Sequence, residues 1–178
     1  MTVSALLYLT ERLRVRQIES TDVNAMHAVY GDADAMRWVG DGSPLAREQC
    51  EEWVVITQRN YALRGYGMSA LVARNSGEVI GFCGLVHPGG QPEVEIKYAL
   101  RREFWGVGLA TEAAAGMLAY GATVFGITRV IATTAPDNTA SHRVLSKAGM
   151  QRAQLRRNED GSFTQYFAWQ PGVIEASL

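Results

Sequence analysis

Glu103-Phe104-Trp105-Gly106-Val107-Gly108-Leu109-Ala110-Thr111-Glu112 is the stretch on which the reading of this chain turns. It lies between a β-prone run over residues 94–100 and a helix-patterned run that reaches about Thr123. Gly106 and Gly108 have no Cβ, so the main chain there can expose several N–H groups at a helix entrance. An anion can approach such a turn closely, and the helix behind it adds free amides and a positive dipole end. The stretch lacks both the Lys-Ser/Thr ending of a P-loop and the third glycine of a dinucleotide fingerprint. A plain tight turn is the alternative reading of the same two glycines.

A second segment points to the same region. Residues 135–150, from Ala135-Pro136-Asp137-Asn138 to Lys147-Ala148-Gly149-Met150, follow another apolar, β-branched run. They read as a strand exit, a capped helix over 139–148 and a glycine stop. Elsewhere, residues 13–18 alternate as a half-buried strand does, and Thr21 or Asp22 caps a short helix that ends near Gly31. Ser43-Pro44 reads as the start of a second helix running to about Leu63. Strands follow over 68–73 and 79–86, joined at Asn75-Ser76-Gly77. From Glu93 onward strands and helices alternate: a helix over 107–123, a strand over 129–134, a helix over 139–148, and strands near 150–157 and 163–169. The pattern predicts an α/β class with one mixed sheet and helices on both faces. With no repeat, low-complexity tract or linker, residues 1–178 form a single expected domain.

The order and content of these segments resemble the GNAT superfamily of N-acetyltransferases, and within it the RimJ/RimL-like branch. Val94-Glu95-Ile96-Lys97-Tyr98-Ala99-Leu100 looks like the family's central strand, and residues 104–113 look like its acyl-CoA pyrophosphate loop. Asp137-Asn138-Thr139-Ala140-Ser141 with Lys147-Ala148-Gly149-Met150 resembles the later helix. Leu155-Arg156-Arg157-Asn158 and Asp160-Gly161-Ser162-Phe163 resemble the branch's closing hairpin, and Leu13-Arg14-Val15-Arg16 its first strand. The resemblance implies the GNAT-type acyl-CoA N-acyltransferase fold, a mostly antiparallel sheet splayed at its fourth and fifth strands. It also implies acetyl-CoA as acyl donor, a small-molecule amine or a protein N-terminus as acceptor, and a homodimer as one expected assembly.

Composition fits that picture. The 178 residues are 47% hydrophobic and 20% charged, ordinary for one globular domain with a full core. A net charge of −1 gives no general attraction to nucleic acid or an anionic membrane, so an anion site must be local. The apolar run over residues 3–9 has no basic lead-in and is too short to span a bilayer, making the cytoplasm the expected location. Cys50 and Cys83 have no metal or redox spacing and read as reduced, buried or half-buried thiols. His27, His87 and His142 are scattered, and no metal is expected.

Acyl transfer from a thioester to an amine needs a seat for the carrier, a polarised carbonyl, a neutral amine and a proton for the departing thiolate. On the resemblance, backbone amides of Gly106, Val107, Gly108, Leu109, Ala110 and Thr111 hold the pyrophosphate. Main-chain groups of Tyr98, Ala99 and Leu100 flank a slot, facing residues 132–134, that takes the pantetheine arm. Glu103 stands where the family carries Gln or Arg, and should turn to solvent; Arg101, Arg102, Arg143 and Lys147 are candidate phosphate contacts. Glu95 matches the family's basic glutamate, and burial there would favour its neutral form. Its alternative is a strand-face carboxylate paired with a cation such as Lys97. The family's tyrosine acid falls on Leu145, which cannot donate a proton. Ser141 resembles the serine of the RimJ/RimL-like branch, and the resemblance implies a hydroxyl that bonds the sulfur or positions a water; the alternative is a helix-start hydroxyl bonded to its own backbone. Asn138 is expected to contact the pantetheine amides, to cap the helix, or both. Trp38, with Trp53, Tyr61, Tyr66 and Trp105, is a candidate wall for the amine; His87 is a candidate second base. Asp32, Asp34 and Asp41 suit a cationic amine or simply turn chemistry. A non-catalytic acyl-CoA sensor on the same fold, or a nucleotide-binding protein unrelated to CoA, are the competing functions.

Overall fold

Eight strands form one sheet in the computed structural model, which describes residues 4–172. In chain order they are β1 (Leu6–Leu9), β2 (Leu13–Gln17), β3 (Met68–Ala73), β4 (Val79–Val86), β5 (Glu95–Leu100), β6 (Val130–Thr134), β7 (Gln151–Arg157) and β8 (Phe163–Trp169). Their spatial order is β1-β2-β3-β4-β5-β6-β8-β7, and every neighbouring pair is antiparallel except β5–β6. The helices are α1 (Val23–Tyr30), α2 (Ala33–Met36), α3 (Arg47–Arg64), α4 (Leu109–Phe125) and α5 (Thr139–Lys147).

Strand alternation sorts the core into two layers. Leu71, Cys83, Leu85 and Ile96 turn to the side covered by α4 and α5, where Ala113, Ala114, Met117, Leu118 and Leu145 are buried. Ala70 and Phe82 turn the other way, against Met26, Val29, Cys50 and Val54 of α1 and α3. The two cysteines therefore lie buried and unpaired on opposite faces of the sheet. Small residues along α4 let that helix lie close to the sheet, and the Tyr8 hydroxyl donates to the Ala113 carbonyl at 3.2 Å to hold it there. No helix among the described residues is long and apolar enough to cross a membrane.

Three local expectations change. The apolar run near the start contains an additional edge strand, β1, so the splayed pair is the fifth and sixth strands rather than the fourth and fifth; Val3 lies outside the described residues. Ser43-Pro44 does not open a helix. Leu45 N–H donates to the Tyr30 carbonyl at 2.7 Å, Ala46 stays extended, and α3 starts at Arg47 with Gln49 Oε1 accepting from Ala46 N–H. Asp22 sits at the start of α1 without capping it, because its carboxylate is taken by Arg16 at 2.7 and 2.8 Å and by Glu19 N–H.

The parallel pair positions the site. β4 and β5 match residue for residue from Gly81–Leu100 to Val86–Glu95, and β6 and β8 match over the whole of β6. Between β5 and β6 the only register pair is Glu95 with Ile131, supported by Ile131 N–H donating to the Val94 carbonyl at 2.8 Å. Beyond it the strands diverge, and residues 97–99, 133 and 134 remain half-buried in the middle of the sheet.

Candidate active site

The wedge opens toward the loop that joins β5 to α4. A short 3-10 turn at Arg102–Phe104 follows β5, and the Trp105 indole N–H donates to the Leu100 carbonyl at 2.8 Å, closing the strand's end. Gly106 (φ +75) and Gly108 (φ +83) then take left-handed conformations that an L side chain occupies only at a cost of about 1–3 kcal/mol. Gly108 is the N-cap of α4 and offers no side chain to cap it. The first intrahelical bond runs from Glu112 N–H to Gly108 O, so the preceding amides of Leu109, Ala110 and Thr111 have no partner within the helix. A Cβ built on Gly106 meets nothing within 4 Å, so the surface over the turn is open. Uncapped donors, a dipole end and open space fit a diphosphate.

On the side of the sheet covered by α4 and α5, Tyr98 projects from β5 and its hydroxyl lies 2.6 Å from Ser141 Oγ on α5. Burial raises the Tyr98 phenol well above its ordinary range, and the Ser141 bond offsets part of that. The phenol therefore stays neutral. Asn138 caps α5, its side chain accepting from Ser141 N–H at 3.2 Å, while its Nδ2 makes no hydrogen bond among the described residues. Leu145 is buried in the core.

The opposite face of the wedge carries Glu95 and Lys97. Glu95 is 3% exposed, and its carboxylate is held by Lys97 Nζ and Thr133 Oγ1 on one oxygen and by Gln91 Nε2 at 3.3 Å on the other. Lys97 Nζ also donates to Thr133 Oγ1 at 3.3 Å, so these side chains bridge the strands just past their last backbone pairing.

Residues 12–151 match the family described as the acetyltransferase (GNAT) domain. The chain belongs to the GNAT acetyltransferase family. It is 34% identical to the uncharacterized protein YkkB of Bacillus subtilis (strain 168) over 154 residues, covering 84% of this chain and 87% of the relative. Among solved structures, a GNAT-family acetyltransferase from Bacillus anthracis shares 26% identity with a TM-score of 0.78, over 91% of this chain and 96% of that one. The ribosomal L7/L12 alpha-N-protein acetyltransferase RimL, solved in complex with coenzyme A, has the same fold at 19% identity and a TM-score of 0.78, over 93% and 98% of the two chains.

Within this GNAT domain several cations and carboxylates named from the sequence are already committed. Arg101 pairs with Glu78 and with the exposed Glu103, so its guanidinium is balanced by two carboxylates rather than left free for a phosphate. Arg102 reaches Asp32 at 2.8 Å and Asp34 at 2.6 Å, and Asp32 also caps α2. Asp41 accepts from Ser43 N–H at 2.9 Å. These aspartates hold turns and ion pairs. Arg143 and Lys147, in contrast, are exposed on α5 and carry no ion pair among the described residues.

His87 is fully engaged. Its Nδ1 lies 2.9 Å from the Gln91 carbonyl and must donate there, leaving Nε2 to accept from the Tyr66 hydroxyl at 2.7 Å. That arrangement ties the end of β4 to the segment leading into β5 and leaves neither ring nitrogen free. Trp53 packs on Tyr30, Tyr61 donates to the Met68 carbonyl, and Tyr66 stacks edge-on with Phe125. Trp38 is 46% exposed on the turn after α2, with the Arg37 guanidinium over its ring. The Tyr98 phenol, Thr133, and the Thr10–Arg12–Glu112 cluster behind the loop were not singled out from sequence, since each acquires its partner across more than 35 residues of chain.

Proposed function

We propose that the protein transfers an acetyl group from acetyl-CoA directly to a primary amine, either a protein N-terminal α-amine or the amine of a small molecule. The wedge between β5 and β6 carries this reading, because it sets uncapped amides at its mouth, a hydroxyl pair on one face and a carboxylate at its apex on the other. Bound acetyl-CoA would supply an activated thioester carbonyl. The amides of residues 106–111 would hold its diphosphate, Arg143 and Lys147 would offer charge at the rim, and the main chain of Tyr98, Ala99 and Leu100 would line the arm. A main-chain N–H of β5, freed of a strand partner past Glu95, would face the carbonyl oxygen as charge develops there.

Glu95 would accept the proton of the incoming ammonium, directly or through one water. A carboxylate has about four lone-pair sites, so its present donors leave room for one more contact. Ser141 would give its proton to the departing sulfur. The Tyr98 hydroxyl, 2.6 Å from Ser141 Oγ, can donate to it as the serine gives up its own proton, so the pair can act as a relay toward the sulfur. The acceptor enters from the α1–α2 side, where Trp38 is exposed and Glu95 faces. A CoA-bound structural neighbour and the family membership support this reading.

The test is thiol release from acetyl-CoA across a panel of peptides and small amines. Both Glu95→Gln and Ser141→Ala should lower turnover about 100-fold, a typical general acid–base contribution. Tight acetyl-CoA binding with no amine-dependent thiol release would favour a sensor module instead.

A further inference from the structure

The loop that faces the ligand is itself held from behind. Arg12, in the turn between β1 and β2, donates from Nη1 to the Val107 carbonyl at 2.8 Å, inside the Gly106–Gly108 turn. Its Nε meets Glu112 Oε2 at 2.7 Å, and its backbone N–H meets Glu112 Oε1 at 2.7 Å. Thr10 Oγ1 adds a third donor to that carboxylate at 2.6 Å. Glu112 sits in the first turn of α4, where a carboxylate also interacts favourably with the helix dipole. Burial works against its charged form, but the donors from Thr10 and Arg12 outweigh it and hold the carboxyl below its usual range. Arg74, from the end of β3, fastens the same turn by donating to the Thr10 and Glu11 carbonyls at 2.7 and 3.1 Å.

From this geometry we infer that Arg12 and Glu112 are positioning residues for the diphosphate loop: by drawing the Val107 carbonyl inward they turn the neighbouring amides outward before any ligand arrives. A peptide unit cannot show both its carbonyl and its N–H on one side, so fixing one carbonyl orients the chain around it. Arg12 is not needed as a phosphate ligand for this role, since Glu112 balances its charge. The inference rests on the acetyl-CoA reading given above and deepens it.

Two ligands separate the role from general stability. Acetyl-CoA carries the diphosphate; S-acetyl-pantetheine keeps the thioester arm and lacks it. Titration calorimetry should show Arg12→Ala and Glu112→Gln weakening acetyl-CoA about tenfold or more, the size of a lost charge-assisted hydrogen bond, with S-acetyl-pantetheine changed less than about twofold. Hydrogen exchange in the ligand-free protein should quicken at residues 106–111 in the same variants, with Arg12→Lys giving partial restoration. Thr10→Val, which removes a single donor and leaves the ion pair, should show the same pattern in smaller degree and serves if the stronger variants fold poorly. Equal weakening of both ligands, or unchanged exchange in the loop, overturns the positioning role while leaving the acetyl-CoA reading intact. A wild-type protein that does not favour acetyl-CoA over S-acetyl-pantetheine overturns both.

Discussion

At the β5–α4 junction the helix starts on Gly108 with no side-chain cap, whereas at the β6–α5 junction Asn138 closes the first turn by accepting from Ser141 N–H. Both are strand-to-helix turns beside the same wedge, and they spend their free amides differently. The bare end keeps its donors and dipole available for a charged ligand. The capped end gives up a donor to hold Ser141 rigidly, with its hydroxyl against Tyr98. One junction leaves its amides open and the other fixes a side chain, a difference carried by a glycine in one place and an asparagine in the other.

The sharpest way to break this contrast is at the aimed hydroxyl. Ser141→Ala should reduce kcat about 100-fold and leave the KM for acetyl-CoA near its original value, as steady-state kinetics with a responsive amine would show. A change confined to KM would move Ser141 from chemistry to binding and erase the distinction between the junctions. At the bare end, Gly108→Ala should cost about 1–3 kcal/mol, because alanine must hold a left-handed φ. Its new Cβ would also stand 3.4 Å from an Arg12 guanidinium nitrogen. Calorimetry should find acetyl-CoA bound about tenfold more weakly. Unchanged affinity would mean that the open amides are not the seat of the diphosphate.

Smaller effects refine the picture. Asn138→Ala should lose about 1 kcal/mol of stability in urea unfolding, the usual value of an N-cap. If kcat falls along with it, the cap is what aims Ser141. The least effect comes from pH. Glu112 is held below its unfolded value, so the unfolded chain binds the extra proton first. Its contribution is whole above the unfolded carboxyl value of about 4.3 and fades as pH falls through the lower folded value. Urea midpoints taken from about pH 7 to about pH 3 should therefore decline less steeply in Glu112→Gln than in the wild type.

Much of the architecture was legible because it is written in local patterns. The residues now in β3 to β8, and the helices α4 and α5, follow from alternation, helical spacing and glycine stops, each decided by neighbours within a few residues. The early helices were less so. Ser43-Pro44 carries a start signal, but a tertiary bond from Leu45 to Tyr30 keeps that segment extended. The edge strand β1 is short, and its pairing with β2 rather than its composition makes it a strand.

The candidate site divides along the same line. From sequence alone came the family, the glycine turn at Gly106 to Thr111 proposed to seat the diphosphate, and the nomination of Glu95, Asn138 and Ser141, since motif residues lie close together in the chain and their spacing survives folding. Only the tertiary structure decided what those side chains touch: that Ser141 faces Tyr98, that Glu95 shares Lys97 and Thr133 across the wedge, that Arg102 is spent on Asp32 and Asp34, and that Arg12 holds the turn from behind. Those partners are brought together by the packing of whole elements, and hydrogen bonds a few ångströms long depend on that packing rather than on any local preference of the residues that make them.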